Sequence, residues 1–402
     1  MVGREAHGDA EYATTRERRL RRDTTAVPGY ARLVLHTGRV PERLTKRGLV
    51  TVSHAIEQAA LATAEDGPLI VLALFQRIPY FERERALYER IAGIAAATVV
   101  GVVDAVPESL PAGVYGVVLA EDEELAREWS VVALTPRFGA ALVAYDRAEV
   151  DPDAPTLEAG RLFDGGWSFR RDAALHEALR LRERLATRLP ERARAVLDEV
   201  LGRVRELPAT PGEARGEAAI RLLAGQTERA RRLADVPPAR AADGTTSLLD
   251  EPALRRWTGL DDGVTASGTL PVAVIGVRVD EPPGTPERFG RRSAAREGQA
   301  VLAALTAPLR PVDRAARLSD REYLLVLPSL TEEQAVAVAD RVRESIGGLA
   351  HSYPFVTYAV HAAVCVTTGR PLPVPAVRHA LEWAVGEGVP VATVAPERVF
   401  VG

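Results

Sequence analysis

Cysteine, lysine and methionine are almost absent from this sequence of 402 residues. Cys365 is the single cysteine, so neither an internal disulfide nor a cysteine-based zinc cluster is available. It lies in the apolar run AAVCV, which predicts a buried small side chain. The seven histidines are scattered and form no HExxH pair. The sequence therefore predicts neither a metal site nor a cofactor.

A large charge excess and a long hydrophobic run are missing as well. The 51 basic and 55 acidic residues leave a net charge of −4, which gives no general reason to expect nucleic-acid binding. The longest apolar run, residues 91–103, is too short to span a bilayer. Residues 1–23 are polar and lack the apolar core of a signal peptide. We therefore expect a cytoplasmic protein that binds neither nucleic acid nor membrane.

The hydrophobic pattern divides the chain into four parts. Residues 1–45 form a charged lead-in that we expect to be irregular. Residues 46–185 alternate helical patterns with buried-strand patterns, which is typical of an α/β domain. Residues 186–242 are helical, and the apolar stripe at 196–204 favours a helical linker or dimerising stalk. Residues 243–402 have the pattern helix, strand, helix, hairpin, helix, strand, helix and strand.

Several degenerate motifs follow one another in this last part. They are DGTTSLLDEPAL (243–254), VAVIGVRVD (272–280), RPVDRAARLSDREYLLVLP (310–328) and HALEWAVGEG (379–388). In this order they resemble the GGDEF domain of diguanylate cyclases. The resemblance implies a mainly antiparallel central sheet flanked by helices, with a signature hairpin at the nucleotide site.

The signature is degenerate in this chain. At the five positions where the family carries G-G-D-E-F, the sequence has Ser319, Asp320, Arg321, Glu322 and Tyr323. Glycines at the first two positions let the backbone approach the nucleotide closely, and the present side chains fill that space. Arg278 replaces the family's first metal-binding aspartate, and a fixed cation repels a metal ion. We therefore predict that no catalytic residues survive. Residual cyclase activity through Glu322 and Asp280 is the alternative.

One motif of the family is intact, namely Arg310 and Asp313 at the family's spacing from the hairpin. The resemblance implies an R-x-x-D inhibitory site for cyclic di-GMP. Arginine can pair bidentately with guanine O6 and N7, and aspartate can accept from the other edge of the base. The other interpretation is that the two side chains pair with each other at a helix-to-strand corner.

The N-terminal domain resembles a second family. The segments FQRIPYFERERALYERIA, EWSVVALTPRFGAALVAYD and RLFDGGWSF resemble the DICT sensory domain over residues 46–185. The resemblance implies a signal-input module. An aromatic and arginine-rich pocket suits a polar or planar ligand. The pocket candidates are Trp129, Arg161, Phe163 and Trp167, and the alternative interpretation places both tryptophans in the core beside a turn.

Together these patterns predict a mixed α/β signal-transduction protein. A DICT-like sensor precedes a helical linker and a catalytically inactive GGDEF-like domain that acts by binding or protein–protein contact. The partners expected are a small ligand such as cyclic di-GMP and a second copy or a signalling protein. A cyclic di-GMP receptor and a residual diguanylate cyclase are the two alternative functions.

Overall fold

The computed structural model describes residues 41–63, 66–103, 109–208, 211–234, 248–259, 270–280, 291–352 and 358–395. The N-terminal elements are β1 (Glu42–Thr45), α1 (Lys46–Leu61), β2 (Ile70–Leu74), α2 (Ile78–Ile94), β3 (Ala97–Val102), β4 (Val114–Val118), β5 (Glu128–Leu134), β6 (Gly139–Val150), β7 (Arg161–Ser168), α3 (Arg171–Arg184), α4 (Glu191–Glu206) and α5 (Glu213–Ala234). The C-terminal elements are α6 (Glu251–Thr258), β8 (Val272–Asp280), α7 (Arg291–Thr306), β9 (Arg314–Arg317), β10 (Glu322–Pro328), α8 (Glu332–Ser352), β11 (Ala359–Thr367), α9 (Val374–Glu387) and β12 (Val391–Val394). None of the helices in these ranges combines the length and apolar character that a membrane span requires.

The N-terminal sheet has seven strands in the order β1-β7-β6-β5-β2-β3-β4. Strands β2, β3 and β4 are parallel to one another, and the other pairs are antiparallel. Every residue of β2 and β3 is buried, as expected of strands covered on both faces. Helices α1 and α2 cover one face, and α3 and α4 cover the other. This mixed α/β architecture confirms the predicted fold class.

Strand β1 corrects one expectation. Glu42–Thr45 pair antiparallel with β7, so these residues are not irregular, and residues 1–40 of the expected lead-in lie outside the described ranges. Four residues at a sheet edge are too few for a period-2 pattern to stand out in the sequence. Thr45 is also the N-cap of α1, because its Oγ1 accepts a hydrogen bond from the backbone N–H of Gly48 at 3.2 Å.

The segment expected to form a linker or stalk is helical, but its apolar stripe is already buried. Leu197, Val200 and Leu201 of α4 pack in one cluster with β3 and β4 of the N-terminal sheet. Helix α5 lies against the opposite cluster through Ile220 and Ala224. The stripe is therefore part of the core of the N-terminal domain, and the linker or dimerising role expected of residues 186–242 stays a prediction.

The C-terminal sheet has five strands in the order β12-β11-β8-β10-β9. Only the β11–β12 pair is parallel, which confirms a mainly antiparallel sheet. Helices α7 and α8 pack on one face, and α6 and α9 pack on the other. Cys365 is buried at 1% exposure, as the apolar run predicts. Helix α8 continues through Gly347 and Gly348, where the sequence favours an end.

Two adjacent glycines in β7 differ sharply in the space around them, and they give a matched test of this packing. A Cβ on Gly165 would lie 2.6 Å from the Cα of Ala144 and closer still to the carbonyl oxygen of Val143. A Cβ on Gly166 would meet no heavy atom within 4 Å. We expect Gly165→Ala to lower the free energy of unfolding by about 3 kcal/mol, because backbone of β6 cannot yield.

The control Gly166→Ala is expected to change the free energy of unfolding by less than about 0.5 kcal/mol. Urea denaturation of both variants measures the difference. Equal stabilities would contradict the close approach of β6 and β7.

Candidate functional site

A cavity of about 90 Å³ lies where the chain leaves β2, between α1, α2 and β7. The carboxyl end of a central strand is where α/β sheets commonly hold ligands. Gln76, two residues after the strand, has a left-handed φ of 61°, and its Nε2 donates to the carbonyl oxygen of Arg127 at 2.8 Å. Such strained backbone concentrates at functional sites. The cavity is lined by Lys46, Val50, Ser53, His54, Phe75, Gln76, Tyr80, Arg83, Glu84, Trp129, Arg161 and Phe163.

The structure brings together three of the four predicted sensor residues. Trp129 and Phe163 meet edge to face with ring centroids 5.9 Å apart, and the Arg161 guanidinium lies 5.4 Å from the Phe163 centroid. Trp167 lies elsewhere. It lines a second cavity, of about 290 Å³, between β1, α1 and α5, and there Arg221 stacks over its ring at 4.2 Å.

Arg161 places a permanent charge in the cavity wall although its side chain is only 1% exposed. It forms an ion pair with the equally buried Asp146, and its Nη1 donates to the hydroxyl of Tyr80 at 3.1 Å. A buried guanidinium without such partners would be strongly destabilising. The cavity therefore has one wall of fixed aromatic and cationic groups.

A second polar group, centred on Glu57 of α1, borders the same cavity and was missed from the sequence. Ser53 and Tyr88 both donate to Glu57 Oε1 at 3.1 Å. The other oxygen, Oε2, is buried and has no hydrogen-bond partner among the described residues. His54 Nε2 lies 3.2 Å from Glu84 Oε1 beside it.

Burial raises the pKa of Glu57; His54 opposes this effect and Glu84 adds to it. The sequence did contain a signal for this carboxyl. Glu57 occupies the buried stripe of α1 together with Leu49, Ile56 and Ala60, a position at which apolar residues are the rule.

The connection from β6 to β7, residues 151–160, joins this cavity to the C-terminal domain. Leu157 is fully buried in a cluster with Trp257, and its N–H donates to the Trp257 carbonyl at 2.8 Å. Arg314 donates to the carbonyl oxygen of Pro152 at 2.6 Å. Because Arg161 follows this segment directly, one stretch of chain forms both the domain contact and the cavity wall. We call residues 151–160 the docking segment.

Glu158 ties the docking segment to the cavity. Its Oε2 accepts from Lys46 Nζ at 2.6 Å and lies 3.7 Å from Arg161 Nη1. Burial alone would raise the pKa of Glu158, but Lys46, Arg161 and Arg370 outweigh it and lower the pKa to about 2. Arg370 belongs to the C-terminal domain, and its own pKa is lowered by burial. Charges from both domains therefore meet at one carboxylate.

The position opposite the signature is filled by a cation. Arg278 on β8 pairs in register with Glu322 on β10. Its Nε lies 3.0 Å from Asp280 Oδ2, and its Nη1 lies 3.5 Å from Glu322 Oε1. Arg378 lies 3.5 Å from the other Glu322 oxygen, and Arg321 lies 3.6 Å from Asp280. Both remaining carboxylates are thus neutralised by arginine, and the described residues place no group of three metal-ligating side chains here.

The hairpin tip is closed by its own side chains. Ser319 Oγ accepts from the backbone N–H groups of Arg321 and Glu322 at 3.3 and 3.2 Å. Asp320 is 99% exposed and pairs with Arg317, whereas Tyr323 is buried in the core. These contacts are those of a polar turn. Residues 281–290, directly after β8, lie outside the described ranges.

Arg310 and Asp313 bind each other. Asp313 accepts from the backbone N–H of Arg310 at 2.7 Å and from its Nη2 at 2.9 Å. The same Nη2 donates to the carbonyl oxygen of Pro328 at 2.5 Å, and the Asp313 side chain is only 3% exposed. A guanine base would have to displace the contacts of Asp313, while the Arg310 side chain is 41% exposed.

Comparison with known proteins identifies the N-terminal domain. Residues 31–147 match the DICT family, described as the sensory domain in diguanylate cyclases and two-component system. The match confirms the predicted sensory domain, although it begins and ends earlier than the expected region 46–185. No curated protein matches the chain.

Solved structures similar to the chain include GGDEF domains of diguanylate cyclases. The GGDEF domain of DgcB from Caulobacter crescentus, in complex with c-di-GMP, is 14% identical with a TM-score of 0.34, covering 40% of this chain and 98% of that one. Diguanylate cyclase SiaD from Pseudomonas aeruginosa, in complex with its activator SiaC, is 22% identical with a TM-score of 0.34, covering 56% and 90%. The active GGEEF domain of a diguanylate cyclase from Vibrio cholerae is 14% identical with a TM-score of 0.27, covering 31% and 82%.

The charge on Glu158 gives a pH-dependent test of the docking segment. A carboxyl whose pKa falls from 4.5 to about 2 on folding stabilises the folded state above pH 4.5, and this contribution is lost as the pH falls towards 2. Glu158→Gln is therefore expected to lower the free energy of unfolding at pH 7 by at most about 3 kcal/mol. The difference from wild type should shrink between pH 4.5 and 2.

Urea denaturation at several pH values measures this difference. Glu149→Gln, at a more exposed carboxyl near the end of β6, is the control and should cost less. A pH-independent difference for Glu158→Gln would contradict the charge network at the docking segment.

Proposed function

We propose that this chain is a signal-transduction protein whose N-terminal cavity binds a small polar ligand and whose C-terminal domain responds without catalysis. The docking segment carries the proposal. Arg161 lies in the cavity wall, and the segment before it contacts the C-terminal domain through Leu157 and Pro152. A ligand that moves Arg161 or Lys46 acts on Glu158, and so on the contact between the domains.

The character of the cavity limits the ligand. Trp129 and Phe163 offer aromatic edges and faces, while Lys46, Arg83 and Arg161 offer positive charge. Glu84 and His54 lie at the same cavity and supply acceptors. This combination suits a small, partly planar molecule with anionic and donor groups.

Loss of cyclase activity is supported by Arg278. Two-metal catalysis needs carboxylates that are free to bind cations, and both carboxylates left at the site are paired with arginines. We infer that the C-terminal domain acts through protein contact. The mutual pairing of Arg310 and Asp313 favours this output over a cyclic di-GMP receptor.

The full chain, incubated with GTP and magnesium or manganese, is expected to yield no cyclic di-GMP. Calorimetry is expected to detect no cyclic di-GMP binding at high micromolar ligand, because Asp313 is almost fully buried and already accepts from Arg310. Product that disappears in Glu322→Ala would establish a residual cyclase instead. Binding that disappears in Arg310→Ala would establish a cyclic di-GMP receptor.

A thermal-shift screen of the full chain against nucleotides, amino acids and small carboxylic acids tests the sensory function. At least one compound is expected to raise the melting temperature of wild type and to lose that effect in Trp129→Ala. Trp383→Ala is the matched control, because Trp383 is 53% exposed on α9, away from the cavity. The same compound should change hydrogen exchange in residues 151–160.

Two results would count against this function. One is a screen in which no compound depends on Trp129. The other is a bound compound that leaves exchange in the docking segment unaltered.

A further inference from the structure

We propose that His54, Glu57 and Glu84 form a binding site for a divalent transition-metal ion, with Zn²⁺ as the ion that best fits their chemistry. Each residue offers one ligand atom, and the three atoms lie within 4.8 Å of one another. His54 and Glu57 are three residues apart on α1, so they project from one face of the helix, and Glu84 faces them from α2. No other such group occurs among the described residues.

Glu57 is the observation that points to a cation. Glu57 is only 1% exposed, and its buried Oε2 has no hydrogen-bond partner in the described part of the chain. A buried carboxylate oxygen with no donor is rare in folded proteins and calls for a counter-group. No described side chain donates a hydrogen bond to Oε2, because Glu84 is itself an acceptor and the Nε2 of His54 faces Glu84.

The surroundings of Glu57 resemble the outer shell of a metal site. Ser53 and Tyr88 both donate to Oε1 at 3.1 Å and thereby hold the carboxylate in one orientation. Hydrogen bonds of this kind orient metal ligands and raise metal affinity. The rigid buried ligand is thus already positioned, while the two remaining ligands are adjustable.

The required adjustment is small. Ligand atoms around tetrahedral Zn²⁺ lie roughly 3.4 Å apart, as follows from metal–ligand distances near 2.1 Å. His54 Nε2 and Glu84 Oε1 are already 3.2 Å apart. Their side chains are 48% and 29% exposed and can close on an ion by changing rotamer.

The ligand types select the class of metal. Imidazole nitrogen favours zinc and its neighbours over magnesium and calcium, which prefer an all-oxygen shell. Three protein ligands leave a coordination position open. Because His54 and Glu84 also line the sensory cavity, a small anionic molecule in the cavity can reach a metal held there.

The regulatory role of this metal site rests on the proposed function. Metal binding by the three side chains is independent of it. An occupied site would fix α1 against α2. Lys46 at the start of α1 would transmit this change to Glu158 in the docking segment. Metal occupancy would then be the state that the C-terminal domain reads.

Isothermal titration of the full chain with ZnCl₂, after treatment with chelator, tests the site. Wild type is expected to bind one Zn²⁺ per chain. Glu57→Gln keeps the acceptor for Ser53 and Tyr88 but removes the charge, and it is expected to weaken binding at least about tenfold. His54→Ala, at a half-exposed side chain, should fold normally and weaken binding similarly.

The control is Glu89→Gln, an exposed carboxyl on the same helix as Glu84, which should bind as wild type does. Visible absorption of the Co²⁺-loaded protein should report nitrogen and oxygen coordination and should be lost in His54→Ala. Absence of Zn²⁺ binding, or equal affinity in wild type, His54→Ala and Glu57→Gln, would overturn the metal site.

Hydrogen exchange with and without Zn²⁺ separates the two proposals. Protection of residues 151–160 on metal binding supports both the metal site and the proposed signalling through the docking segment. Zn²⁺ binding without any change there refutes metal occupancy as the transmitted signal while leaving the site established. If a compound raises the melting temperature of a chain that binds no Zn²⁺, the metal site is refuted and the sensory function is not.

Discussion

The buried ion pair between Arg161 and Asp146 constrains the whole sensory half of the molecule. Both side chains are almost completely enclosed, so neither charge can be left alone without a cost of about 3–5 kcal/mol. The pair spans the register shift between β6 and β7, since Asp146 lies before the shift and Arg161 lies opposite Val150 after it. Residues 151–160 leave the sheet between Val150 and Arg161. The cavity wall, the domain contact and the Lys46–Glu158 pair all follow from where that segment begins and ends.

Much of the fold could be predicted because burial leaves a strong mark on sequence. Continuous apolar runs predict the buried strands β2 and β3, and helical periodicity of apolar residues predicts α1 and α2. Strand β1 could not be found because four edge residues carry no period. The sequence also could not predict that the apolar stripe at 196–204 packs against the N-terminal sheet, since periodicity reveals an apolar face but not the surface that covers it.

The residues of the candidate sites could likewise be predicted only in part. Aromatic and arginine residues pointed to Trp129, Arg161 and Phe163, which share a cavity, but equally to Trp167, which does not. Residue type indicates chemistry, whereas sharing a cavity depends on which strand face each residue occupies. Glu57 was overlooked because a single carboxyl within a helical pattern looks like a surface residue until its helix is packed.

Arg278 has a consequence for the stability of the hairpin around it. Its guanidinium lies between Asp280 and Glu322, and it has become part of their electrostatic support. An aspartate at this single position would gather three carboxylates around a hairpin whose turn is closed by Ser319. Like charges at that distance repel, so an aspartate at position 278 would lower the stability of the domain before any metal is bound. A single charge reversal would turn a cluster of mutually supporting charges into a repulsive one.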